Sequence, residues 1–165
     1  MFTDTTEPVT TQAPTPSTPS TPSTPSTLPV LPPDYIKGGF LDTAPDGQRY
    51  LKAVYLGEFA QICAAALTNK SPALSAAKFH SSFLRDANKH LRRGVIYEQQ
   101  AACALYLKLQ AIKLVAKHKA PPILTDILTK ATGAVYDRAT FEAFYKHLEA
   151  IYCFMLLSEE QKGGD

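Results

Sequence analysis

Lys78, Arg85, Lys89 and Arg92 follow one another at intervals of seven, four and three residues. At 100° per residue, those intervals gather the four cations into an arc of about 60° on one face of a helix. Ala76, Phe83, Leu84, Ala87 and Leu91 fall on the other side, so the cations point away from the core. A second polar set, Gln99, Tyr106, Gln110, Lys113 and Lys117, shares a similarly narrow arc further along the chain. Cations of this kind neutralise phosphates, while amide and phenol groups reach phosphate or ribose oxygens. With Arg93 beside Arg92, the candidate RNA-contacting residues are Lys78, Arg85, Lys89, Arg92, Arg93, Gln110, Lys113 and Lys117. The chemistry is backbone neutralisation, which is indifferent to base sequence and weakened by salt.

The surrounding charge pattern supports this reading. Ten of the seventeen Lys and Arg residues lie between Lys70 and Lys119, where Asp86 and Glu98 are the only acids. That block therefore carries a net charge of 10 − 2 = +8, against +2 for the whole chain. An ordinary solvated surface mixes both signs; a block of one sign on a helical scaffold points to a polyanion partner.

No arrangement of residues offers catalysis, and none offers a cofactor or metal site. A Gly-rich phosphate loop and a Cys-x-x-Cys pair are both absent, and His80, His90, His118 and His147 are dispersed. His80 falls on the apolar arc of its helix and is expected to face inward. Cys63, Cys103 and Cys153 are odd in number and set in apolar sequence, as expected of reduced, inert core thiols. Glu149, the one acid in the apolar half of the last helix, is expected to partner a Lys, Arg or Tyr. The chain reads as a binding protein without an active site.

Helices must position these residues, because the apolar spacing is helical wherever the chain is rich enough to fold. Five helices are expected, at about Gln48–Thr68, Ala73–Arg93, Val95–His118, Pro122–Thr132 and Asp137–Ser158. Gly94 is expected to cap the end of the second, and Asp137 the start of the fifth. The third is apolar round most of its circumference and is the candidate central helix. Gly38-Gly39 and Asp42–Gly47 read as a loop leading in. The fold class is all-α, a compact bundle of about five helices in residues 35–160.

Before it, residues 1–34 form a Pro/Ser/Thr-rich tail with four Pro-Ser-Thr units from Pro16 to Thr27. Too little apolar surface is present there to offset the entropy of ordering, so a disordered spacer is expected, as is a flexible end at 161–165. Met1-Phe2-Thr3-Asp4 has neither the basic nor the apolar region of a secretory signal. Together with reduced cysteines, this points to the cytoplasm.

Three stretches resemble the small subunit of type III-A CRISPR–Cas effector complexes, an all-helical family. Leu74-Ser75-Ala76-Ala77-Lys78-Phe79-His80 stands where that family opens its second helix, with Lys78 at a Gln position and His80 at an Arg. Leu107-Lys108-Leu109-Gln110-Ala111 occupies the place of its central-helix run. Phe141, Phe144, Glu149 and Ala150 match its last helix, which here ends Cys153-Phe154-Met155-Leu156. The resemblance spans roughly residues 48–157. It implies a non-catalytic subunit of an RNA-guided antiviral ribonucleoprotein. Its partners would be guide RNA and target RNA, the effector backbone subunits, the large polymerase-like subunit, and further copies of itself stacked alongside. The alternative, from a different class, is a helical protein-interaction adaptor with no nucleic-acid role, which predicts an exposed apolar groove.

Overall fold

The computed structural model describes residues 30–93 and 96–162. The tail over residues 1–29, the Gly94 cap and the end at 163–165 lie outside the described residues. The order is a short hairpin, β1 (Leu41–Thr43) and β2 (Arg49–Leu51), a 3₁₀ turn at Ala53–Tyr55, and then helices. These are α1 (Glu58–Thr68), α2 (Ala76–Phe79), α3 (Arg85–Arg92), α4 (Tyr97–Ala116), α5 (Ile123–Gly133) and α6 (Arg138–Lys162). A π-helical turn at His80–Leu84 joins α2 to α3 as one rod, so the described residues form the five expected rods.

The first helix starts ten residues later than its apolar spacing indicates, because turn chemistry claims the preceding segment. Pro45-Asp46-Gly47 forms the hairpin loop, with Gly47 at φ +83° and Gln48 N–H donating to Asp46 Oδ1 at 2.9 Å. The strands pair antiparallel, Leu41 opposite Leu51 and Thr43 opposite Arg49. The segment ahead of the hairpin is core rather than lead-in loop: Leu31, Tyr35 and Phe40 are all buried. The folded unit therefore begins by Leu31, ahead of the expected boundary at residue 35.

α1 packs chiefly on α6, and charged side chains from the end of α6 finish its neighbours. Lys162 donates to the Thr68 carbonyl at 3.2 Å, satisfying an orphan acceptor at the end of α1. Glu159 accepts from Ala76 N–H at 2.7 Å at the start of α2, where a negative charge also suits the helix dipole. Lys162 is thus helical and bonded, which corrects the expected flexible end at its first residues. Asp137 caps α6 as expected: its Oδ1 accepts from Thr140 N–H at 2.8 Å, and Thr140 Oγ1 accepts from Asp137 N–H at 2.9 Å. α4 ends in a Schellman turn, with Lys119 N–H on the Leu114 carbonyl and His118 N–H on that of Val115, His118 at φ +51°.

The core runs through Phe40, Tyr55, Phe79, Phe83, Leu107, Leu128, Phe141, Phe144 and Leu148, all at most 1 % exposed. At its aromatic end sits His147, itself 0 % exposed. Nδ1 lies 2.6 Å from the Tyr55 carbonyl and Nε2 lies 2.9 Å from the Tyr35 hydroxyl. A carbonyl can only accept, so Nδ1 carries the hydrogen and Nε2 accepts from Tyr35. Burial pulls the imidazole down to about 4, opposed in part by the Tyr55 carbonyl.

Candidate nucleic-acid interface

The π turn decides which cations share a face. It holds one residue more than an α-helical turn, so everything after it is rotated by about 100° relative to an unbroken helix. The buried residues confirm the rotation. On an unbroken wheel, Phe79 and Ala87 would point about 80° apart; the extra residue brings them within about 20°, and both are 0 % exposed. Arg85, Lys89 and Arg92, all beyond the turn, keep their common line. Lys78, before it, is carried out of that line.

The same rotation corrects the position of His80. The core-facing direction before the turn is set by Ala76 and Phe79, which leaves His80 at its edge and exposed, its ring 5.3 Å from that of Tyr152 on α6.

Lys78, Arg85, Lys89, Arg92, Arg93, Lys113 and Lys117 are all exposed. Arg85 has a carboxylate in range, Asp86 at 3.8 Å. Among the described residues the other six make no ion pair. Arg92 Nε donates to Asn88 Oδ1 at 2.9 Å, which fixes the guanidinium along α3 without neutralising it. Arg92 also stands within electrostatic reach of α6. Burial raises the Tyr145 phenol, the Glu149 carboxylate adds to the rise, and the Arg92 charge opposes it. Glu149 is the hydrogen-bond acceptor of Tyr145, at 3.2 Å, the partnered acid that was expected.

α3 and α4 run side by side and enclose a groove of about 460 Å³, lined by Asp86, Lys89, His90, Gln99, Ala102, Cys103 and Tyr106. The groove joins the two polar arcs: Lys89 from one meets Gln99 and Tyr106 from the other, and Gln110 donates to the Tyr106 hydroxyl. Lys113 and Lys117 continue the α4 arc towards its end. Asp86 is the one acid in the groove lining.

The cysteines divide. Burial pushes the Cys63 thiol up to about 12 and the Cys103 thiol up to about 11, which suits inert core groups. Cys153 is exposed, contrary to expectation, because α6 turns that position outward. It lines an apolar groove of about 520 Å³ with Leu56, Ala150, Phe154 and Leu157. Among the described residues no group of three His, Cys, Asp or Glu side chains could hold a metal ion, and no helix is long and apolar enough to cross a membrane.

Helix α4 departs most from its sequence. It packs against α3, α5 and α6, yet it is peripheral rather than central. Leu105, Leu109 and Ile112 are 60 %, 62 % and 42 % exposed. The helix is apolar on two faces, and the fold buries one. Sequence reasoning missed this because a wheel shows how much of a helix is apolar, but not how many neighbours exist to cover it.

No protein family, curated protein or solved structure matches the chain.

Proposed function

We propose that this protein is a non-catalytic helical bundle that binds RNA along its phosphate backbone, without reading sequence, through the bases of α3 and α4. The observation that carries the reading is the set of five exposed bases, Lys89, Arg92, Arg93, Lys113 and Lys117, which have no carboxylate partner among the described residues. Uncompensated cations repel one another, and such a surface is stabilised by a polyanion. The groove sets Lys89 beside Gln99 and Tyr106, donors suited to phosphate and ribose oxygens. The resemblance noted above names the polyanion as the guide–target duplex of a type III CRISPR effector, and the neighbours as its backbone and polymerase-like subunits. That finer assignment rests on the three quoted stretches.

The test is a titration of the full chain with fluorescent RNA across salt concentrations. Five phosphate contacts at roughly 0.7–0.9 each give a slope of log K against log salt near −3.5 to −4.5. Reversing Lys89, Arg92 and Arg93 to Glu should flatten the slope by about 2–3 and weaken all sequences alike. Binding that ignores salt, or that survives this reversal, refutes the reading. Co-purification with a guide RNA and effector subunits tests the finer assignment. A second reading, a protein-interaction adaptor, is favoured by the apolar groove between Leu56 and Leu157; it predicts no RNA binding at any salt.

A further inference from the structure

We propose that α4 is a dimerisation helix, pairing antiparallel with α4 of a second copy of this chain about a two-fold axis near Lys108 and Leu109. On a wheel, Glu98, Ala101, Leu105, Leu109, Ile112 and Ala116 lie within an arc of about 80°. The three large members of that arc are 42–62 % exposed, although α4 packs against α3, α5 and α6 elsewhere on its circumference. Aliphatic side chains at i, i+4 and i+7 that the parent fold leaves uncovered are the form of a helix awaiting a partner helix.

The pattern along the face indicates a second copy. Reflect the residues about a point midway between 108 and 109, as an antiparallel two-fold does. Leu105 then meets the other copy's Ile112, Leu109 lies next to its own equivalent at the axis, and Ala101 meets Ala116. Large residues stand at the centre and small ones at the ends, so two helix backbones can approach along their length. Glu98, the only acid on α4, is exposed on this face at one end and reflects onto Lys119, exposed just past the other. Each copy therefore offers its acid to the other's base, a complementarity that a parallel pair would replace with Glu98 against Glu98. Two helices of 20 residues, each ~30 Å long, bury on the order of 1,000 Å² in all. That is at the small end for a specific interface, so the dimer should form in the micromolar range.

A two-fold that exchanges antiparallel helices stands perpendicular to the plane containing them and leaves both copies' flanks on the same side. The polar arc of α4 is about 100° round from the apolar one, on the flank where α3 lies. Dimerisation would thus set Lys113, Lys117 and the α3 cations of both copies on one continuous surface. The pairing does not depend on RNA binding, and it is measured without RNA.

The experiment is light scattering coupled to size exclusion, on nuclease-treated full-length protein from about 1 to 200 µM. The expected mass rises from one copy to two and stops there. Leu105→Glu with Leu109→Glu should give a monomer with unchanged circular dichroism and melting. Glu98→Lys and Lys119→Glu should each weaken the dimer several-fold, and the two together in one chain should restore it. Should the leucine variant fold poorly, the surface charge swap decides the matter. A monomer up to 200 µM overturns the proposal, as would mass that keeps growing past two copies. So does a dimer indifferent to both sets of variants. A failure here leaves the salt-dependent RNA titration of the monomer intact, and failure of that titration leaves the dimer intact.

Discussion

Acidifying the protein should destabilise it in large part through His147. In the fold its imidazole is 0 % exposed, wedged against the Tyr35, Phe40 and Tyr55 rings at centroid distances of 5.7, 5.8 and 5.4 Å. Both of its nitrogens are already used, one donating to the Tyr55 carbonyl and one accepting from the Tyr35 hydroxyl. Adding a proton removes Tyr35's acceptor and buries a charge, which is why the imidazole is held at about 4 in the fold. In the unfolded chain it titrates near 6.5. A folded pKa below the unfolded one means that the stabilisation is complete above pH ~6.5, is lost as pH falls from there towards ~4, and is exhausted below that.

The size follows from the two values: at ~1.4 kcal/mol per pH unit, the gap amounts to about 3 kcal/mol at most, of which about 2 kcal/mol is lost between pH 7 and pH 4.5. A change of that size is a substantial fraction of the ~5–15 kcal/mol that holds a domain together. Carboxylates such as Asp137, held low by Arg49 and by hydrogen bonds from Thr140 against the opposing effect of burial, also lose stabilisation as pH falls. The measurement must therefore be a difference. Urea unfolding of the wild type and of His147→Gln is compared from pH 7 to pH 4.5. Gln can still donate and accept but does not titrate. The variant should be less stable at pH 7, and the gap should shrink by about 2 kcal/mol by pH 4.5. Two curves that stay parallel would refute the assignment of a neutral, doubly bonded His147.

Gln100 is 0 % exposed on α4, and neither end of its amide has a hydrogen-bond partner among the described residues. Gln100→Leu should therefore raise the urea midpoint, by ~1–3 kcal/mol of stability with the slope unchanged; a loss instead would show that the amide is partnered. The thiols should separate in a labelling experiment with a thiol-specific reagent at pH 8. Cys153 should react at once, and Cys63 and Cys103 only in denaturant; three thiols reacting together without denaturant would contradict the burial assigned to two of them.

Much of the fold is legible in the chain because its signals are local. Asp137 announces the start of α6 through contacts three residues apart, and Pro121-Pro122 ends one helix and begins the next. Phe141, Phe144, Tyr145, Leu148, Tyr152 and Met155 recur at helical spacing as one apolar stripe; the two Phe, Leu148 and Met155 are core, and the two tyrosines are half-buried at its edge. The line Arg85, Lys89, Arg92 is legible for the same reason, since all three lie on one unbroken stretch of helix. Lys78 and His80 were misplaced because the wheel assumes one residue spacing throughout, and the π turn at His80–Leu84 breaks it. Nothing local marks that turn. It lets Phe79, Phe83 and Ala87 all reach the core, a packing requirement set by α4 and α6.

By itself the sequence determined that the protein is a helical bundle, where most of its helices begin and end, and that its positive charge is gathered in one block. Helical periodicity, caps and composition act over a few residues and need no partner to be read. Only the tertiary structure decided which faces are covered. Leu105 and Leu107 are chemically alike and two positions apart, yet Leu107 is 0 % exposed and Leu105 60 %. The difference lies wholly in which neighbours stand beside α4, and a side chain two residues along a helix points about 200° away.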